Sequence, residues 1–338
     1  MRTRKWWVIT IWVLSVLLVV TSVASAVPPR HTVSEVLHTH ALQAVHWLHT
    51  QQHTDGTFGS VTQTADAVLL IAMVNEDPGG AQWAPAGVSA LQALKNQTPQ
   101  AVQGRDAGVI AKVLRAAALA HADVHHFGGY DLVAELQNLY NPSTGRFDPT
   151  NNFKQALAIE ALTAAEIPVP AAAIQSLAND QRPNGGWGWQ YGGSAVDVDT
   201  TALVLEAVGT ALGNLLSLPQ GVQAYQFLQA QQAPSGGWPS IPGGQVNCDS
   251  TALAIRALLV AGLNPRQAPY TAQNPDGTWR NPLGVLLSFQ DKDGGFHWTQ
   301  DQAGSRFVAT VDAVPALLLP WPGTQILWPR GYFPLAWH

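Results

Sequence analysis

The sequence predicts an all-α fold, an (α/α)6 toroid of six helical hairpins arranged in an inner and an outer layer, and three observations carry that prediction. A short pattern, Gln followed four or five residues later by Gly and then by an aromatic, recurs as QHTDGTF from Gln52, QRPNGGW from Gln181, QAPSGGW from Gln232 and QDKDGGF from Gln290, with a weaker copy in LYNPSTGRF from Leu139. Each copy leads into an apolar segment rich in small residues, and a sixth such segment, RDAGVIAKVLRAAALA from Arg105, has no Gly-aromatic signal before it. Recurrence at this scale marks a helical repeat fold. Composition agrees: 46% of residues are apolar and 12% charged, so helices must be buried on more than one side, which a compact multilayer fold provides and a thin bundle does not.

Periodicity of 3.6 residues, cut by Gly, Pro, Asn and Asp, gives the elements in order. The first helix, 33–52, carries VSEVLHTHALQAVHWLHTQQ, polar enough for an outer layer. The second, 63–75, is the small-rich QTADAVLLIAMV. Segments 84–97 and 105–122 form the next pair, followed by 129–140 and 153–165, the latter reading NFKQALAIEAL. Segment 171–180 precedes 198–212, which opens on DVDTTALVLEAV, and 219–232 precedes 249–262, which opens on NCDSTALAIRAL. The last pair is 282–290 and 307–319, with FVATVDAVPALL at the start of the second. No segment alternates apolar and polar residues with β-branched enrichment, so no strand of consequence is expected.

Six hairpins stack into an open superhelix or close into a ring. Closure buries the second helix of each pair on all sides, which fits the Ala-rich second helices. The repeat has a structural reading of its own. Glycines at 185–186, 236–237 and 294–295 permit positive φ in a sharp outer-to-inner turn, Trp187, Trp238 and Phe296 cover the turn, and the Gln amide is free to bond open backbone groups at a neighbouring helix end.

The ends and the charge bound the setting. Arg2, Arg4 and Lys5, an apolar run from Trp6 to Val20 and Ala24-Ser25-Ala26 read as a signal peptide over 1–26; the alternative is an uncleaved anchor. The toroid is expected over 27–320 in an exported protein, secreted or held at the cell surface. The Pro-rich aromatic tail 321–338, with Trp321, Trp328, Tyr332, Phe333 and Trp337, is too apolar for a free end and is expected to pack on the toroid, sealing the ring or covering its cavity. Loss of the leader moves the formal charge from −5 to −8. Basic residues are scattered singly, which excludes nucleic acid and an anionic lipid surface as partners. A single cysteine, Cys248, excludes an internal disulfide and leaves it buried or paired between chains.

The Gln-to-Gly-Gly-Trp blocks at 181–187 and 232–238, the looser ones at 290–296 and 51–58, and the helix starts DTTA at 199–202 and DSTA at 249–252 resemble the repeat shared by squalene and terpene cyclases and by protein prenyltransferase β-subunits. The resemblance runs from about residue 40 to 319. The implied toroid is also similar to the helical domain of the cobalamin carriers, transcobalamin and intrinsic factor, which bind between the toroid and a β-rich domain this chain lacks.

The resemblance raises the question of catalysis. In class II terpene cyclases an Asp-x-Asp-Asp-Thr-Ala segment supplies the acid that protonates an alkene or epoxide. Here Asp197 and Asp199 match the first and middle acids and Thr200 stands at the third. Two readings of Asp199 follow: a helix N-cap, ionised and favoured by the dipole, with Asp249 in the same role one repeat on; or an acid whose pKa Asp197 raises by like charge. Prenyltransferase zinc ligands do not transfer, since Cys248 and Asp249 are adjacent and His297 falls in a turn, so neither a metal site nor a cofactor is expected. The remaining mouth residues, Gln63, Asp106, Asn152, Asp249 and Arg306, form a ring polar with few charges. The function expected is a non-catalytic module binding a small apolar or weakly polar ligand in the central cavity, or a protein partner; the alternative is a cyclase-like enzyme acting through Asp199 with Asp197.

Overall fold

The computed structural model describes residues 33–321; the expected leader and the tail beyond Trp321 lie outside them. Among the described residues there are twelve α-helices: α1 (Val33–His49), α2 (Val61–Met73), α3 (Ala90–Gln103), α4 (Ala107–Leu119), α5 (Leu132–Gln137), α6 (Asn152–Ala164), α7 (Ala171–Ala178), α8 (Val198–Leu212), α9 (Pro219–Gln231), α10 (Cys248–Val260), α11 (Pro282–Ser288) and α12 (Arg306–Leu318). The even-numbered helices pack side by side in chain order, and α12 returns to α2, which closes the ring. The odd-numbered helices lie outside, each against its inner neighbours, and α1 seals the seam by packing on α12. The only β-structure among the described residues, apart from isolated bridges, is the short pair β1 (Ala272–Gln273) and β2 (Trp279–Arg280). Among the described residues no helix is long and apolar enough to cross a membrane.

One helix is displaced from its expected place. α3 runs Ala90–Gln103 rather than 84–97 because Ser89, not the residues around Pro85, caps it, its hydroxyl accepting from Gln92 N at 3.2 Å. The helix then passes through Pro99, whose ring removes a single N–H.

The turn motif is a bracket in every detail. Gln181 Nε2 donates to Gly185 O and to Gln220 O at the start of α9, both at 2.8 Å. Gln232, Gln290 and Gln52 repeat the two bonds, each joining its own turn to the next outer helix or its approach. Trp187 and Trp238 are buried, and each indole donates at 2.7 Å to a carbonyl in the last turn of the preceding outer helix, Leu177 and Leu228. A second half of the bracket lies on the inner helix: Thr201 Oγ1 accepts from Trp187 N at 2.9 Å, and Thr251, Thr310 and Thr64 do the same for Trp238, Phe296 and Phe58. Gly185 has φ +88°, and a Cβ there would strike Gln223 O on α9, so only glycine fits. Cys248 is fully buried at the start of α10, and Trp321 is buried with its indole donating to Ala316 O at 3.1 Å.

Candidate functional site

Every inner helix is capped at one recurring position: Ser60, Asp106, Asn151, Asp197, Asn247 and Ser305. The cap of α8 is therefore Asp197, and the equivalent residue of α10 is Asn247, so capping falls two residues before Asp199 and Asp249. Asp197 commits both oxygens to backbone, Oδ1 to Thr200 N at 2.6 Å and Oδ2 to Trp189 N at 3.1 Å. Asp199 and Asp249 sit at the second helical position, released from capping and turned to the bore.

There they behave unlike surface acids. Asp199 Oδ2 accepts from Ser240 Oγ at 2.7 Å and the Ser250 hydroxyl also favours its anion, while Asp249 Oδ1 is buried without a hydrogen-bond partner. Burial pushes the Asp199 carboxyl above the usual range and the charge of Asp197 adds to the rise, against the pull of the Ser250 and Ser240 hydroxyls. Burial and then the Asp199 charge push Asp249 up to about 7. Asp312, one turn deeper on α12, is pushed up to about 8 by burial and by Asp249. Although Asp312 is set deep in the ring, 23% of its side chain stays accessible, as expected of a residue lining a cavity.

Below the mouth a belt of ion pairs crosses the ring. Lys112 Nζ lies 2.7 Å from Asp66 Oδ2, joining α4 to α2. Arg115 Nη1 lies 2.6 Å from Glu160 Oε2 on α6, and its Nη2 lies 3.8 Å from Glu206 Oε1 on α8. Arg256 Nη2 lies 2.6 Å from Glu206 Oε2, and its Nη1 lies 3.9 Å from Asp312 on α12. α4 and α8 flank α6 in the ring, so the Arg115–Glu206 contact passes across the inner face of α6. Asp199, Asp249 and Asp312 keep partial exposure toward the N-terminal end of the inner helices, above that belt.

The other expected mouth residues are taken up by the scaffold. Gln63 closes a capping box with Ser60. Asp106 caps α4 and binds Lys154 Nζ at 2.6 Å. Asn152 is fully buried between Asp180 and Gly188 O. Arg306 turns to the outer layer, its Nη2 2.6 Å from Asp293 Oδ1 and its guanidinium over the Trp47 ring. Seven ionisable positions on the inner helices instead meet in the belt unforeseen: Asp66, Lys112, Arg115, Glu160, Glu206, Arg256 and Asp312. The available signal was one or two ionisable residues in each otherwise apolar inner helix. A separate apolar cleft of about 240 Å³ lies on the outer side of α8, between α7 and α9, lined by Ile174, Leu177, Val204, Val208 and Leu215. Among the described residues no cluster of three or more His, Cys, Asp or Glu is placed to hold a metal ion.

No protein-family model and no curated protein matches the sequence. Solved structures do. The apo type II terpene cyclase MstE from Scytonema is similar with TM-score 0.57 and 17% identity, over 84% of this chain and 97% of that one. A variant of that cyclase in complex with its substrate geranylgeranyl dihydroxybenzoate gives TM-score 0.55 and 16% identity over 85% and 99%. An unsaturated glucuronyl hydrolase from Bacillus sp. GL1 gives TM-score 0.60 and 12% identity over 84% and 96%. At these identities the likeness is one of architecture, and the chain has an α/α toroid fold.

Proposed function

We propose that this chain is an exported binding module, with residues 1–26 as its leader, and that its bore is the site of a small molecule. The observation that supports the reading best is a closed ring of inner helices that carries ion pairs across its interior and, nearer the helix N-termini, the partly exposed carboxyls of Asp199, Asp249 and Asp312. Concave, rigid sites with a few convergent polar groups are where small ligands bind. The expectation of an apolar or weakly polar ligand rested on a ring with few charges; the carboxyls favour a ligand that also donates hydrogen bonds. The test is native mass spectrometry of the protein recovered from an exporting host. A retained small molecule, lost in the Asp199→Asn, Asp249→Asn double variant, is the expected result. Protein that stays in the cytoplasm, or that carries nothing and binds nothing from an extract of the host medium, sinks the reading.

A second reading has one observation in its favour. A carboxyl that no longer caps its helix, and whose pKa is raised, can hold a proton and donate it. That makes Asp199, with the charge of Asp197 beside it, a candidate acid of the cyclase type. The charges of Lys112 and Arg115 on the inner face of α4 count against a carbocation route, which is helped by aromatic faces rather than cations. Gas chromatography with mass spectrometry on squalene and linear polyprenyl substrates, beside Asp199→Asn, decides: cyclic products lost in the variant establish the enzyme.

A further inference from the structure

We infer that the cleft between α7 and α9 is a binding site, separate from the bore, for a small neutral molecule: an apolar body of roughly nine or ten carbons carrying one hydrogen-bonding group such as a hydroxyl.

The cleft exists because the two layers do not match in length. α8 has fifteen residues and the α7 helix outside it only eight, so a stripe of α8 at Leu205, Val208 and Leu212, spaced three and four residues apart, is left facing the gap. The start of α9 and the single 3-10 turn before it, Leu215–Ser217, form the other wall without filling the space. Protein interiors hold few voids larger than a water molecule, so about 240 Å³ is more than loose packing.

The walls are fixed. Trp187 lines the cleft and is pinned there, its backbone N donating to Thr201 Oγ1 at 2.9 Å and its indole Nε1 to Leu177 O at 2.7 Å. The start of α9 is seated by Gly221, where a Cβ would strike Leu215 O. Walls held by such contacts keep their shape when empty, which is what a preformed site requires.

The lining decides the chemistry. It contains no ionisable side chain, and the stretches 167–179 and 207–248, which supply most of it, carry no Asp, Glu, Lys, Arg or His. A charged ligand would give up water there and gain no partner, so the occupant is neutral. A strand of polypeptide would bring backbone N–H and C=O groups against the same unresponsive wall, which favours a free molecule. Gln175 and Gln220 are exposed at the opening and offer amides to a hydroxyl or carbonyl. Leu212 and Leu218, 49% and 38% exposed, leave the apolar interior open to entry.

The volume sets the size. A ~150 Å³ cavity lined by Leu, Ile and Phe holds benzene. Scaling its six carbons by the ratio of that volume to about 240 Å³ gives roughly nine or ten.

The test is titration calorimetry of the full chain with 1-naphthol, against phenol as the smaller match and 1-naphthalenesulfonate as the charged one, with methyl NMR to locate the site. Saturable binding of 1-naphthol is expected at least ~10-fold tighter than that of either match, unchanged by salt. Chemical-shift changes are expected to centre on the Val204, Val208 and Leu215 methyls. Ala178→Phe, which places a ring in the cleft from its half-buried edge, is expected to weaken binding by ~10-fold or more. Affinity and location are read on the unaltered protein, so a misfolded variant does not decide the matter. No saturable binding, equal affinity for the sulfonate, or shifts centred away from the cleft overturns the inference and leaves the bore reading as it stands. Two other occupants would also show themselves. Cleft methyls with NOEs to residues 322–338 assign the space to the chain's own end, and a dimer in sedimentation that Leu212→Arg dissociates assigns it to a second copy; either result overturns the inference.

Discussion

Arg256 on α10 holds Nη2 2.6 Å from Glu206 on α8, with the two side chains only 5% and 2% exposed. Two charges that deep are stable together and costly apart, because each has given up water for the other. Arg115 on α4 reaches the same Glu206 from beyond α6, so the belt ties helices that are not neighbours around the ring. Arg256→Met is expected to destabilise the fold by about 3–5 kcal/mol, since it strands Glu206 in the interior. The Arg256→Met, Glu206→Leu double variant is expected to recover much of that loss. Urea unfolding followed by circular dichroism measures both, and a single variant within about 0.5 kcal/mol of the parent removes the belt as a structural element.

The pH dependence of stability follows from the acids that burial raises. Asp249 and Glu160 are pushed up to about 7 and Asp312 to about 8, above their unfolded values near 4. Between pH 4 and 8 the unfolded chain has lost protons that the folded chain retains, so stability falls as pH rises. The slope is at most roughly 1.4 kcal/mol per pH unit for each retained proton. A melting series is expected to decline from pH 5 to 8 and to flatten in Asp312→Asn. A curve that climbs over that window contradicts the assignment of protonated carboxyls to Asp249, Glu160 and Asp312.

The sequence made the toroid legible because the turn bracket is local: Gln181, Gly185, Trp187 and Thr201 lie within 21 residues, and their partners are backbone groups any such hairpin presents. Closure was legible for the same reason, as small residues on the even helices are what a twice-covered layer requires. The belt was not. Arg115, Glu160 and Arg256 are 45 or more residues apart, and a lone charge in a helix reads as its wet edge until the ring turns that edge inward. Asp199 was found as a candidate but set as a cap, because Asp before Thr-Thr-Ala satisfies the capping pattern at either 197 or 199. The structure places the cap at 197, where Asp197 Oδ1 accepts from Thr200 N, and the bridge between Trp187 and Asp197 keeps that residue outside the helix.

Thr201 links the turn to the inner helix. It accepts from Trp187 N at 2.9 Å and donates to Asp197 O at 2.7 Å, fully buried. Thr201→Val keeps the shape and orphans the Trp187 N–H, so a loss of about 1–3 kcal/mol is expected, with Thr201→Ser close to the parent. Hydrogen exchange at the Trp187 amide checks the mechanism: faster exchange in the valine variant alone places the loss at this bond, and equal rates in both variants rule it out.

The two aspartates of α8 give opposite expectations, and comparing them tests the assignment of roles most directly. Asp197 accepts two backbone N–H groups as the ionised cap, so Asp197→Ala is expected to cost about 0.5–2 kcal/mol at neutral pH. Asp199 holds a carboxyl that burial disfavours as an anion, so Asp199→Asn removes the ionisation penalty while keeping an acceptor for Ser240. Its stability is expected to match the parent at pH 5 and to exceed it at pH 8, because the parent alone must either retain a proton or bury a charge there. The measurement is chemical denaturation of both variants at the two pH values. If Asp199→Asn were the more damaging change at pH 8, Asp199 would be the structural residue of the pair, and the acid-lined mouth would lose its functional meaning.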